Sequence, residues 1–276
     1  MRNILCRSIL AAGLVAVAAS AQAGDFSTSA ANPTPLPPTG VVAGNYPAGE
    51  TETSYYFAVD LKVGALATQI ALQGGNKYKT LTLGLLNGSG GKIESYYVTA
   101  GAGDNNEGTR VFPIDASGRY LIRVATQGPE TTSFRVALGG SALPKRTVLA
   151  PEAGNSRSFL DPTPVDPEGV ITGAFPGGTA SAYYYFGAKL KAGTLLTQMS
   201  VAGRQGASKW MSLTLLDDKG RADATYHMSR VEAAADATRS FPIDRSGAYV
   251  LRVLVQGAEG TKYKVELGGD AFAGGK

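Results

Sequence analysis

The sequence predicts an all-β protein made of two tandem antiparallel β-sandwiches behind an N-terminal export signal. Three observations lead there. Apolar and polar residues alternate over many short stretches, turn residues separate those stretches every ten residues or so, and the whole pattern occurs twice at a spacing of 129 residues. Period-two alternation places successive side chains on opposite faces of a strand. Many short strands punctuated by turns make a sandwich.

The clearest repeated stretch is FPIDASGRYLIRV at 112–124, which returns as FPIDRSGAYVLRV at 241–253. An extended run ends at Asp-x-Ser-Gly and strict alternation follows. Asp115 and Asp244 are expected to bond their own backbone two residues on. Gly118 and Gly247 are expected to supply a positive φ, so that the four residues make a structural turn. Beyond it, Tyr120, Ile122 and Val124 share one face, and Leu121 and Arg123 the other.

Composition agrees with this fold. Hydrophobic residues make up 43% of the 276, enough for two cores, while charged residues reach only 17% and Gly numbers 36. Such a low-charge, Gly-rich chain suits strands and turns better than helices.

Residues 1–23 read as a signal peptide. Arg2 and Arg7 form a basic start, Ile9 to Ala19 an apolar stretch, and Ala21-Gln22-Ala23 a small-residue cleavage site. A periplasmic or secreted destination is expected. The apolar stretch is too short for a mature membrane helix, and no later run reaches the roughly 18 apolar residues that a span needs. Cys6 precedes the apolar stretch, which argues against lipid attachment there. Cleavage after Ala23 removes this single cysteine, so the cores must hold the fold without a disulfide. It also lowers the formal net charge from +4 to +2. Residues 24–142 carry 8 basic and 9 acidic side chains, and residues 143–276 carry 16 and 13. Neither half has the basic excess of a nucleic-acid binder.

Residues 24–39 are rich in Ser, Thr and Pro and read as a mobile or extended leader. Repeat 1 is expected over 40–142, a linker containing Lys145-Arg146 over 143–158, and repeat 2 over 159–272. The matches are specific: NPTPLPPTGVVAGNYP with DPTPVDPEGVITGAFP, YYFAVDLKVG with YYFGAKLKAG, and FRVALGG with YKVELGG. Near 203–209 one residue is inserted, so TLGLLNGSG and SLTLLDDKG lie 130 apart.

Alternation assigns the inward faces. In repeat 1 they are Tyr55, Phe57, Val59, Leu61; Leu66, Thr68, Ile70, Leu72; Leu81, Leu83, Leu85; Tyr120, Ile122, Val124; and Phe134, Val136, Leu138. Repeat 2 supplies the equivalents from Tyr184 to Leu267. Weaker strands near Val41, Tyr96 and Val111 bring the count to seven to nine per repeat. Each large inward side chain contributes roughly 1.5–3 kcal/mol on burial, which offsets ordering entropy.

The succession of these motifs resembles the bacterial pre-peptidase C-terminal domain. It comprises YYF-x-V-x-L-x-x-G, a Leu-alternating strand closed by Asn/Asp and Gly, P-x-D-x-S-G-x-Y-x-x-R-V, and a final aromatic-x-V-x-L. The resemblance covers both repeats and implies jelly-roll-like sandwiches of the kind appended to secreted peptidases for substrate binding or secretion. Members of that family often carry acidic calcium ligands before the first Tyr strand and before the Leu strand. Here those places hold Thr53-Ser54 and Lys77-Tyr78-Lys79, with Ala182-Tyr183 and Ser208-Lys209-Trp210 in repeat 2. No metal or other cofactor is expected.

Candidate chemistry is sparse. His227 is the single histidine, which excludes a His-based zinc site or a repeated Ser-His-Asp set. It is expected on a strand surface. GAGDNNEG at 101–108 gathers oxygens without the ligand spacing of a calcium loop and reads as a solvated loop. Trp210 is expected to pack at a sandwich edge. If the last two strands of each repeat pair, Arg123 lies opposite Arg135, and Arg252 opposite Lys264. Like charges so placed cost stability unless an anion or carboxylate relieves them, or the long exposed side chains splay into water. The expectation is therefore a non-enzymatic exported binding or envelope protein, with these four cations meeting an anionic polysaccharide or lipopolysaccharide. The alternative is a substrate-binding accessory subunit whose partner is a separately encoded secreted hydrolase.

Overall fold

The computed structural model describes residues 26–47, 51–144, 154–176, 181–230, 232 and 234–272. The signal stretch 1–23 and the Lys145-Arg146 site lie outside the described residues. Repeat 1 contains β1 (Thr34–Pro35), β2 (Val41–Asn45), β3 (Thr53–Leu61), β4 (Gly64–Gly74), β5 (Lys79–Asn87), β6 (Lys92–Ala100), β7 (Asn106–Ile114), β8 (Gly118–Gln127) and β9 (Thr132–Gly139). Repeat 2 contains β10 (Thr163–Pro164), β11 (Val170–Ala174), β12 (Ala182–Leu190), β13 (Gly193–Ala202), β14 (Lys209–Leu216), β15 (Ala222–Arg230), β16 (Ala234–Ile243), β17 (Gly247–Gly257) and β18 (Lys262–Gly268). No helix among the described residues is long and apolar enough to cross a membrane.

Each repeat is a two-sheet sandwich. Its five-stranded sheet has the order β1-β3-β8-β5-β6, and its four-stranded sheet the order β2-β9-β4-β7; repeat 2 has the same orders. The antiparallel pairs are nested: β5 with β6, β4 with β7, β3 with β8, and β2 with β9. One long hairpin folded over itself in this way is a jelly roll. The expected inward faces form the cores, with Phe57, Leu66, Ile70, Leu81, Ile122 and Val136 fully buried in repeat 1. Phe186, Leu195, Met199, Leu213, Leu251 and Val265 do the same in repeat 2.

Three expectations change. First, the described part of the leader, from Phe26 on, and the end of the linker at 156–158 are built into the sandwiches. Phe26 packs edge-on against Tyr55 and Phe57, and β1 runs parallel to β3. Residues 156–164, which begin in the stretch read as linker, repeat residues 27–35. Ser156 N donates to Thr163 Oγ1 at 2.7 Å as Ser27 N does to Thr34 Oγ1 at 2.8 Å. Ser156 O accepts from Tyr185 N as Ser27 O does from Tyr56 N. Local Ser and Thr bonds of this sort order a polar stretch that composition alone marks as loose.

Second, Arg123 does not face Arg135, nor Arg252 Lys264. β8 and β9 lie in different sheets, because the short loop after Gln127 crosses the sandwich instead of closing a hairpin. Arg123 stands beside Tyr56 and Gly84, and Arg135 beside Ala43 and Ala71.

Third, the Asp-x-Ser-Gly segment is a corner between sheets. Gly118 and Gly247 open β8 and β17 without a positive φ. The corner is fastened by Tyr120 Oη donating to Ala116 O and Tyr249 Oη to Arg245 O, both at 2.7 Å. Ser117 Oγ and Ser246 Oγ accept from Val63 N and Ala192 N across the neighbouring turn. Asp115 and Asp244 sit at the start of that corner.

Candidate binding cleft at the junction of the repeats

Outward side chains, which alternation marks only as polar, decide how the repeats meet. The four-stranded sheet of repeat 1 docks on the five-stranded sheet of repeat 2. Phe159, Tyr185 and Leu216 are buried there and pack with Ala67, Val111, Leu160, Tyr183 and Val250. Phe159 meets Tyr185 edge-on, with ring centroids 6.0 Å apart. The turn at 217–220 reaches over β7: Val111 N donates to Lys219 O at 2.7 Å, and Thr109 Oγ1 donates to Gly220 O. Gly220 has φ 69°, and a Cβ there would come within 3.3 Å of Arg110 N. A side chain at this position would crowd Phe159 and Arg110 while strained in the left-handed region.

Glu107 is the charge at the centre of this junction. Tyr185 Oη donates to Glu107 Oε1 at 2.6 Å, and Gln69 Nε2 to Oε2 at 3.3 Å. Gln69 also links the repeats through its own amide: Nε2 donates to Arg157 O and Oε1 accepts from Phe159 N, each at 3.0 Å. The residue retains some accessible surface, yet its carboxyl group is enclosed in the junction. Burial pushes its pKa up to about 7, against the opposing pull of the Tyr185 and Gln69 bonds and of Arg252 and Arg135. Burial and the Glu107 charge raise Tyr183 to about 12 and hold Tyr185 well above the ordinary phenol range.

At the rim of the junction lies a cleft of about 600 Å³, lined from repeat 1 by Tyr78, Asp104, Asn105 and Asn106 and from repeat 2 by Tyr183, Trp210 and Gln256, among others. Tyr183 Oη donates to Asn106 Oδ1 at 3.3 Å across the gap. Trp210 is not a sandwich-edge filler: it lies in β14, in the interior of its sheet, and stacks on exposed His227 at 5.5 Å. Buried Lys79 and Lys209 support the two loops behind the cleft. Lys79 Nζ donates to Gly101 O at 2.7 Å, and Lys209 Nζ to Arg204, Ala207 and Glu232 carbonyls.

The four cations expected to bind an anion are not paired as the sequence suggested. Arg123 is ion-paired with Glu52 and Lys264 with Glu266. Arg252 lies over the Tyr183 ring at 5.6 Å, and both it and Arg135 bear on Glu107. The 101–108 stretch, read as a solvated loop, instead places Asn105 and Asn106 in the cleft and Glu107 in the junction. Among the described residues, no three His, Cys, Asp or Glu side chains cluster as metal ligands would.

No protein-family model matches the chain, and no curated protein does. Among solved structures, the chain is similar to the PBSX exported protein XepA, with 12% identity over 82% of this chain and 86% of that one, at a TM-score of 0.26. It is similar to a Parabacteroides distasonis ATCC 8503 protein named as secreted, with 9% identity over 83% and 88% and a TM-score of 0.24. A third similarity is to the Arthrobacter globiformis T6 isomaltodextranase complexed with panose, with 12% identity over 83% of this chain but 35% of the enzyme, at 0.26. At these scores the architecture stands on the chain's own strand order.

Proposed function

We propose that the protein is an exported, non-enzymatic binding protein whose two sandwiches, of the pre-peptidase C-terminal kind, hold a carbohydrate in the cleft between them. The observation that carries this reading is the make-up of the cleft. Aromatic rings from both repeats, Tyr78 and Trp210, line it together with Asn105, Asn106 and Gln256. Rings offer flat apolar faces to a sugar, and amides satisfy its hydroxyls and fix its orientation. Charge supports a neutral glycan over the acidic polymer expected from the sequence, because the four cations already answer carboxylates of the protein.

The test uses the chain from Gly24 onward against neutral glycans, acidic polysaccharides and lipopolysaccharide at two salt concentrations. Trp210 is the one tryptophan, so its fluorescence reports directly on the cleft. Binding of a neutral glycan should shift that fluorescence, resist salt, and weaken roughly tenfold or more in Tyr78→Ala or Trp210→Ala, the loss of one stacked ring. Salt-sensitive binding of acidic polymers that survives Trp210→Ala would overturn the reading. Release of sugar products would make the protein a hydrolase.

A further inference from the structure

The junction has an unmatched counterpart at each end of the molecule. Repeat 2 exposes its own four-stranded outer face, the equivalent of the face that repeat 1 buries. Repeat 1 has its own five-stranded outer face, the equivalent of the face that repeat 2 buries, with Tyr56 and Arg123 half-buried on it and Leu86 and Leu121 buried. We propose that these two open faces join between copies of the chain, head to tail, in the manner that joins the repeats within one chain.

The open face of repeat 2 keeps the chemistry of its buried equivalent. Gln198 Nε2 donates to Asp236 Oδ2 at 3.4 Å, as Gln69 Nε2 donates to Glu107 Oε2 at 3.3 Å. Thr238 stands where Thr109 stands, 129 residues on, and Lys264 where Arg135 stands. Beside Ser200, Asp236 and Lys264 is a concavity of about 500 Å³. At the matching place in repeat 1, the hydroxyls of Tyr183 and Tyr185 arrive from the partner sheet.

The open face of repeat 1 offers the matching groups. Tyr56 is the equivalent of Tyr185 and Arg123 of Arg252. Placed as in the junction, Tyr56 Oη would point towards Asp236, whose side chain is one methylene shorter than that of Glu107, and the Arg123 guanidinium, paired with Glu52 within its own chain, would lie near the same carboxylate.

The differences between the repeats are complementary in volume. Phe159 is replaced by Ala30, which leaves a gap on one side. On the other, Ala67, which packs against the Phe159 cluster, is replaced by Leu196, a leucine that is 46% exposed. A larger knob therefore faces a larger hole. The loss of Leu160 and Tyr183, replaced by Ala31 and Ser54, makes the contact between copies weaker than the one inside the chain. Such a contact uses two different surfaces, so association continues past two copies until a ring closes or a filament grows.

Sedimentation velocity of the chain from Gly24 onward, from micromolar to millimolar concentration, tests this. The wild type should form concentration-dependent species larger than dimers. Asp236→Arg, which sets a cation against Arg123, should weaken association roughly tenfold or more while leaving the thermal midpoint of this exposed site unchanged. Tyr56→Ser should also weaken it. Each of these variants retains one intact face, so mixing the two should yield dimers and nothing larger. A monomer throughout, a discrete wild-type dimer, or association indifferent to Asp236→Arg would each overturn the proposal.

Discussion

The outer four-stranded faces of the two repeats share a backbone and most of their polar groups, yet one is buried and the other meets water. Thr109 is buried in the junction, while Thr238 is exposed. Glu107 accepts a hydrogen bond from a phenol of the neighbouring repeat, while Asp236 accepts one from Gln198 of its own sheet. Gly90 has open space around it, while Gly220, its equivalent, is pressed against Arg110. A few substitutions separate these fates: Phe159 for Ala30, Leu160 for Ala31 and Tyr183 for Ser54 on one side, and Val111 against Ser240 on the other. The lesson is that the sandwich supplies a generic half-polar face. A small number of large apolar side chains converts it into an interface, in line with the concentration of binding energy in a few anchors.

The strongest way to erase that difference is Phe159→Ala, which gives repeat 2 the residue that repeat 1 has. Truncating a buried Phe costs about 3–5 kcal/mol. Denaturant unfolding should then separate into two transitions as the junction opens ahead of the sandwiches. A single transition at the wild-type midpoint would show that the repeats do not depend on this anchor.

Proton linkage sharpens the comparison. Glu107 has its pKa raised from the ordinary carboxyl value of 4.5 to about 7 in the folded protein. Between those values the native state holds a proton that the unfolded state has released. Stability contributed by the junction is therefore greatest below about pH 4.5 and falls as pH rises towards 7, by about 2–3 kcal/mol. Denaturation midpoints from pH 4 to 8 should show this fall, and Glu107→Gln should flatten it.

The smallest expected effect is at the corners, which the junction does not touch. Tyr120→Phe and Tyr249→Phe each remove one hydroxyl bond to a backbone carbonyl and should cost about 0.5–1.5 kcal/mol. The two losses should be equal within error, because the corners are alike in both repeats. Asp244→Ala should cost less than Tyr249→Phe. The reverse order would restore the aspartate as the fastening group.

Inward faces were legible because burial leaves a period of two in the sequence. Leu66, Ile70 and Leu72, and likewise Met199 and Val201, are found where alternation puts them. Pairing was less legible. The four-residue connection between β8 and β9 suits a hairpin and a crossing between sheets equally well, and local sequence does not distinguish them. The junction was missed because alternation says only that outward residues are polar, and Gln69, Glu107 and Thr109 satisfy that in water or out of it. A usable signal lay in the places where the repeats disagree: SFL at 158–160 against SAA at 29–31 puts two large apolar groups where its twin has alanines.

The nested pairing of strands has a kinetic consequence. In each repeat the innermost hairpin, β5 with β6 or β14 with β15, needs only local contacts, and every later pair closes over a loop already shortened by the one before. Loop-closure entropy is thus met in small steps, although the final contacts are far apart in sequence. The last step joins β2 to β9 or β11 to β18, so neither sandwich can finish until its own final strand has been delivered. A chain threaded through a membrane from its N-terminus would therefore acquire repeat 1 as a completed body while repeat 2 was still extended, and the junction would form last.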